Sequence, residues 1–260
     1  MHLNTVTPRT GITWVKAGVR TFWRQPLAMS GLFFMFMAAM SVAGVVPYLG
    51  SALALALLPA ATLGLMAASK EADGGKFPMP VILVSAFRAG RSQGRAMLQL
   101  GAMYAVGFLI IMALTTLVDG GQFAKLYLVG GSLSMDKLQS GEFQAAAWLA
   151  MALYLPLSMV FWHAPALVHW HGVSPTKSLF FSWMACWRNM GAYLVYALAW
   201  FAVFMAAASA LMLLTSLVDP ELFALLVMPL MLIMASMFFT SFYFTFRDSF
   251  TESTPSITPA

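Results

Sequence analysis

Three histidines, His163, His169 and His171, stand within nine residues of one another, with Trp162, Pro165 and Trp170 among them. Imidazoles at that density can ligate a metal or titrate near neutral pH. No cysteine or acid stands beside them. On a continuous helix His163 and His171 would share a rough face that His169 does not. The expected reading is therefore a structural corner at His163 and Pro165 rather than a metal centre. Asn189, further along, is expected to cap the helix it opens or to hydrogen-bond back to that corner.

Other chemical motifs are weaker. One Gly-x-Ser-x-Gly match occurs, Gly90-Arg91-Ser92-Gln93-Gly94. A nucleophile elbow needs a strand before it and a helix after it. This match lies in a basic stretch leading into an apolar run, so it reads as chance. No Walker phosphate loop and no His-Glu-x-x-His occurs. Cys186 is the only cysteine, which excludes an intrachain disulfide and a multi-cysteine zinc site. The Met37/Met40 and Met228/Met231 spacings lie in apolar runs and read as packing rather than a copper path. No catalytic residue, cofactor or metal is expected, and the chain is not expected to be an enzyme.

The elements that must carry these residues follow from composition. Of 260 residues, 61% are hydrophobic and 9% charged. A soluble domain carries about 25% charged residues, so lipid must be the solvent for much of this surface. A span needs roughly 20 apolar residues to cross about 30 Å of hydrocarbon. Six such runs are expected, near 27–46, 51–69, 96–118, 144–163, 191–218 and 222–246. Turns are expected at Pro47-Tyr48-Leu49-Gly50 and Asp219-Pro220-Glu221. Residues 1–8 are expected to be loose, 119–142 to be a mixed polar loop, and 248–260 a disordered cytoplasmic tail. The predicted fold class is an all-α polytopic membrane protein, a single integral membrane domain over 1–247. Its six transmembrane helices form three hairpins, each preceded by an amphipathic interfacial helix.

None of these runs contains Asp, Glu, Lys or Arg. Coupled transport usually needs an intramembrane ionisable group, so its absence weakens that function. Twelve of the fourteen Lys and Arg fall on one side of the six-span arrangement; Lys125 and Lys137 fall on the other. The positive-inside rule then places both termini in the cytoplasm of a bacterial inner membrane. The net charge of +5 points to anionic lipid head groups at the cytoplasmic face, not to nucleic acid.

The basic residues also recur in a pattern. Amphipathic stretches are expected at 10–24, Pro80–Arg88 and Pro175–Asn189, each leading into a span. Phe22-Trp23-Arg24-Gln25 resembles Cys186-Trp187-Arg188-Asn189, with Arg91 in the same slot of a middle unit. Gly18, Ser85 and Ser182 stand six residues earlier in each. The second span of each unit carries a proline: Pro59, Pro156 and Pro229. Repeats over 9–69, 78–171 and 174–247 are expected. Arg20, Trp23, Arg24, Arg88, Arg91, Trp187 and Arg188 are the expected head-group contacts, since Arg meets phosphate while Trp sits at head-group depth.

The run HAPALVHWHGVSPTKSLFFSWMACWRNMGAYLVYAL resembles a family of uncharacterised proteobacterial multi-pass inner-membrane proteins. There an Ala-Pro-x-Leu-Val corner precedes a Ser-rich helix ending in Arg-Asn. The opening WVKAGVRTFWRQPLAM resembles that family's N-terminus. A more distant similarity links it to the membrane domain of glycerophosphodiester phosphodiesterases, without their soluble catalytic domain. The resemblance implies a helical membrane fold and carries no activity. The expected function is binding of lipid or of a partner membrane protein in the envelope. The alternative is a transporter or channel for a neutral or hydrophobic solute.

Overall fold

Six helices long and apolar enough to cross a membrane dominate the computed structural model, which describes residues 2–45, 50–218 and 221–251. They are α2 (Pro26–Gly44), α3 (Gly50–Asp73), α5 (Arg91–Asp119), α8 (Gly141–Phe161), α11 (Met190–Val218) and α12 (Leu222–Ser249). Shorter helices flank them: α1 (Thr10–Arg24), α4 (Ser85–Arg88), α6 (Gln122–Leu128), α7 (Met135–Leu138), α9 (Ala164–His171) and α10 (Pro175–Arg188). A short 3-10 turn, Pro80–Val84, leads into α4. The expected turns around Pro47 and Pro220 fall largely outside the described residues, as does 252–260.

The six long helices match the six expected runs, and their charges sit at their ends. Pro59, Pro156 and Pro229 each lie inside a spanning helix. Two expectations change. The N-terminus is not loose: β1 (His2–Leu3) pairs antiparallel with β2 (Phe250–Thr251), and Asn4 N donates to Ser249 O at 2.9 Å. The 119–142 loop contains α6 and α7, because Asp119, Gly120 and Gly121 turn the chain tightly enough to start a new helix.

The chain forms two compact units. One comprises Met1–Phe36, Thr62–Ser85 and Met184–Ala260; the other comprises Met37–Ala61 and Ala86–Trp183.

In the first unit, α1 packs against α11 and α12. Its amphipathic pattern is as expected, but its largest apolar side chains face protein. Trp14 and Phe22 are buried, whereas Trp23 is 62% exposed. Trp14 lies against Tyr193, with ring centroids 5.2 Å apart, and its indole N–H donates to Asp248 Oδ2 at 3.0 Å. Two glycines allow the approach. A Cβ on Gly11 would fall 2.7 Å from Tyr196 N, and one on Gly18 would fall 2.8 Å from Ser241 Cα. Small residues at such crossings let backbones meet closely. Ser241 Oγ in turn lies 2.5 Å from Tyr196 Oη and accepts from Trp200 Nε1 at 3.3 Å.

In the second unit, α5 packs along α8, with α6 across one end and α9 at the other. Ile111, Met112, Phe123, Phe143, Ala146 and Ala150 form the core of the α6 end.

Gly18→Val is expected to destabilise the protein by about 1–3 kcal/mol through overpacking. Ile12→Ala, on the exposed side of α1, should change stability by about 0.5 kcal/mol or less. Thermal unfolding in detergent measures both. A Gly18→Val protein as stable as the parent would disprove the close docking of α1.

Candidate functional site: a hydroxyl-bridged corner and two apolar grooves

A break between two helices falls at His163, and Ser182 fastens it. Helix α8 ends at Phe161 and α9 begins at Ala164, with Pro165 in its first turn. A continuous helix would leave Phe161 O without its donor, because proline has no N–H. His163 N would bond Met159 O in an unbroken ladder. Instead Ser182 Oγ stands between them: it accepts from His163 N at 2.9 Å and donates to Met159 O at 2.7 Å. A side chain inserted into the i→i−4 ladder is a recognised cause of a sharp bend. Gln93 Nε2 adds a second tie, donating to His169 O at 3.2 Å.

His163 and Pro165 are both buried at this corner. Among the described residues no three His, Cys, Asp or Glu side chains converge as a metal site would require.

Asn189 belongs to the other compact unit and does different work. Its Oδ1 accepts from Val6 N at 2.8 Å, and its Nδ2 donates to Asn4 O at 3.0 Å. It is buried between α10 and α11 and anchors the N-terminal segment. The side-chain cap expected of it is not formed. Ser182 provides the tie between the end of α8 and α10. The sequence signal for Ser182 was present in the repeat comparison, but as a small residue, not as a donor and acceptor.

The expected head-group cations divide into two groups. Arg24 reaches across to the end of α3: its Nη1 donates to Asp73 O at 2.7 Å and lies 3.5 Å from Asp73 Oδ1. Arg247 Nη1 lies 3.4 Å from the other Asp73 oxygen, and its Nε donates to Asp248 Oδ1 at 2.8 Å. Arg20, Arg88, Arg91 and Arg188 are exposed, as are Trp23 and Trp187. Arg24 and Arg188 each end an amphipathic helix one residue before a span. Arg91 instead begins its span, after Gly90 at φ +115°. The first and third units therefore share this arrangement and the middle one departs from it. Helix α4, not a strand, stands immediately before Gly90 and Ser92, so the Gly-x-Ser-x-Gly match has no elbow geometry.

Cys186 is inert chemistry. Burial pushes its thiol up to about 12, opposed by a hydrogen bond with Tyr193. The thiolate that reacts or binds metal is then negligible at neutral pH.

Sequence reasoning missed the walls around α6. Asp119 ends α5 and is buried; its carboxylate accepts from Gly121 N at 2.9 Å and Phe123 N at 2.6 Å. Gly120 and Gly121 take φ of +66° and +92°, a conformation that favours glycine. The Asp-Gly-Gly run was the available signal for a turn. The helix that follows walls two apolar grooves. One, of about 570 Å³, lies between α5, α6 and α8, lined by residues including Met112, Phe123, Trp148 and Tyr154. The other, of about 280 Å³, is lined by residues including Met40, Ser51, Leu55 and Leu128. Phe108 and Tyr127 line both. In the other unit, α11 and α12 bound a groove of about 420 Å³ lined by Ala, Leu, Ile and Pro229.

Six long apolar helices with charges confined to their ends define a multi-pass α-helical membrane protein. The comparisons agree. A protein of Burkholderia thailandensis described as a probable inner membrane protein is 40% identical over 259 residues, covering 98% of this chain and 96% of that one. The chain belongs to the family of that protein. No protein-family profile matches it, and no solved structure matches it.

Ser182→Ala would leave His163 N and Met159 O unbridged in a buried site. A loss of about 1–3 kcal/mol is expected, with Ser182→Thr retaining part of it. Unfolding in detergent reads the loss; an unchanged midpoint for Ser182→Ala would remove the bridge from the account of the corner.

Proposed function

We propose that this chain is a non-enzymatic protein of the bacterial inner membrane that binds lipid, holding both termini in the cytoplasm. The observation that carries the reading is the separation of charge from the spans. Cations collect at helix ends while grooves within each unit are walled mainly by apolar side chains, relieved by the hydroxyls of Ser51, Tyr127 and Tyr154 and the indole of Trp148. Exposed Arg20, Arg88, Arg91 and Arg188, with Trp23 and Trp187, meet anionic head groups at the cytoplasmic face. In this reading α1, α10 and the Pro80–Arg88 segment lie at head-group depth, introducing three hairpins. The distant similarity to the phosphodiesterase membrane domain belongs to the same reading and supplies no catalytic residue.

A conduit for a neutral solute would favour hydroxyls or proline-freed carbonyls along its wall. The groove at Pro229 has one proline-freed carbonyl at most and no hydroxyl side chain among its Ala, Leu and Ile walls, which favours lipid over such a solute.

Two measurements test the proposal. A fluorescent-protein fusion at the C-terminus should fold and glow, while alkaline phosphatase at the same position should be inactive; the reverse result would invert the topology. Native mass spectrometry of the protein extracted from its membranes should show phospholipid enriched over the bulk extract. A protein that retains no lipid and crosslinks instead to a partner membrane protein in cells would replace the lipid reading with a partner-binding one.

A further inference from the structure

We propose that the two grooves beside α6 together hold one diacyl phospholipid of the outward-facing leaflet, with an acyl chain on each side of the Phe108–Tyr127 ridge and the phosphate at Lys125. The proposal rests on the lipid-binding reading above and gives it a site.

Shape is the first argument. The grooves of about 570 and 280 Å³ share Phe108 and Tyr127 as a common wall. Together they fall within the range of about 300–1,000 Å³ usual for small-molecule sites. A single wall between two apolar troughs suits a ligand with two apolar limbs joined at one end.

Depth is the second. Along α5, Phe108 precedes Asp119 by three helical turns, roughly 16 Å. That is about half of the roughly 30 Å hydrocarbon thickness. The grooves therefore run from the α6 end of the spans to near mid-membrane, the reach of one leaflet's acyl chains. At that depth the competing filler is lipid hydrocarbon, not water, and an apolar cavity holds water poorly.

Charge is the third. Lys125 is exposed on α6, one helical turn before Leu128, which lines the smaller groove. Among the described residues it makes no ion pair. An ammonium on the helix whose Phe123, Tyr127 and Leu128 wall the paired apolar grooves complements a phosphate and not an uncharged head. Tyr127, 64% exposed and lining both grooves, is an amphipathic interface residue of the same helix.

The seat is also rigid. The Asp119 carboxylate fixes the first turn of α6, and Phe123 packs on Phe143 with ring centroids 5.6 Å apart. Ser51 Oγ donates to Leu128 O at 2.5 Å and holds the other end of α6. A preorganised wall lowers the ordering cost of binding.

The test uses the full chain extracted from native membranes in mild detergent, with bound lipid quantified by native mass spectrometry and by extraction. Ala147→Trp fills the larger groove and Ala54→Trp the smaller; Lys125→Gln removes the charge. Leu198→Trp, on the exposed face of α11 and lining none of the three grooves, is the control. About one phospholipid per chain is expected for the parent and the control, with about a tenfold loss of retention in each of the other three. Phosphatidylglycerol carrying a diazirine in one acyl chain should label peptides from α5, α6 and α8 of the unmodified protein, which keeps the site testable if a tryptophan variant fails to fold. Retained phospholipid that survives Ala147→Trp and Ala54→Trp, or labelling confined to other helices, overturns the site while leaving the lipid reading intact. No retained phospholipid in the parent overturns both. A fatty acid, an isoprenoid or a second copy of the chain in the grooves overturns the diacyl assignment.

Discussion

Hydrocarbon cannot accept or donate a hydrogen bond, and the rest of this structure follows from that. A soluble protein can leave a hydroxyl or a broken helix turn to water; inside a bilayer the protein must supply the partner itself. The hydroxyls along the spans comply by bonding back to their own helix. Thr115 donates to Met112 O, Thr215 to Leu211 O, Thr240 to Ser236 O and Ser69 to Leu65 O. These local bonds satisfy each side chain without tying helices together. A few hydroxyls are used between helices, and those mark where elements are fastened. Ser236 donates to Met29 O at 3.1 Å, joining α12 to α2. Ser241 receives Trp200 where α1 crosses most closely. Ser182 repairs the break between α8 and α9.

Charge obeys the same constraint at the ends of the helices. Asp73 closes α3 and meets Arg24 from α1 and Arg247 from α12. Asp248 accepts from both Arg247 and the Trp14 indole. Exposed ion pairs of this kind contribute little individually. Their value here lies in registration: two helix ends, those of α3 and α12, and the N-terminal helix share a few polar atoms, so a shift of any one breaks several bonds. The strand pair β1–β2 completes the arrangement by holding His2 and Leu3 against Phe250 and Thr251, while the two bonds from Asn189 fasten Asn4 and Val6.

The parts of this design that depend on composition were legible in the sequence. Apolar runs of sufficient length announced six spans, and the three internal prolines were correctly placed within them. The amphipathic pattern of 10–24 announced α1, but periodicity gives a face and not its partner. Trp14 and Phe22 would read alike against lipid or against α11 and α12; Gly11 and Gly18 on the same face were the clue to a close protein neighbour. The parts that depend on a single tertiary hydrogen bond were not legible. Asn189 and Ser182 are both small polar residues near a helix break, and nothing in sequence spacing says which reaches the His163 corner. The loop around α6 hid for a different reason. A helix of seven residues between glycine pairs carries too few positions to display a period.

Asp119 and Ser182 then represent one solution applied at opposite ends of the α5–α8 pair. At each end the chain must leave a helix, exposing backbone groups that the bilayer will not satisfy. Asp119 takes two N–H groups at the start of α6; Ser182 takes one N–H and one C=O at the end of α8. The difference between them follows from what each break exposes. The start of a helix presents donors only, which a carboxylate can accept in pairs. A break within a helix presents a donor and an acceptor together, which a hydroxyl alone can serve with one atom. An amide such as Asn189 spans two backbone groups with separate atoms, and it does so where the N-terminal segment offers an N–H and a C=O two residues apart. The choice of side chain at each fastening point is thus set by the kind of backbone group left open there.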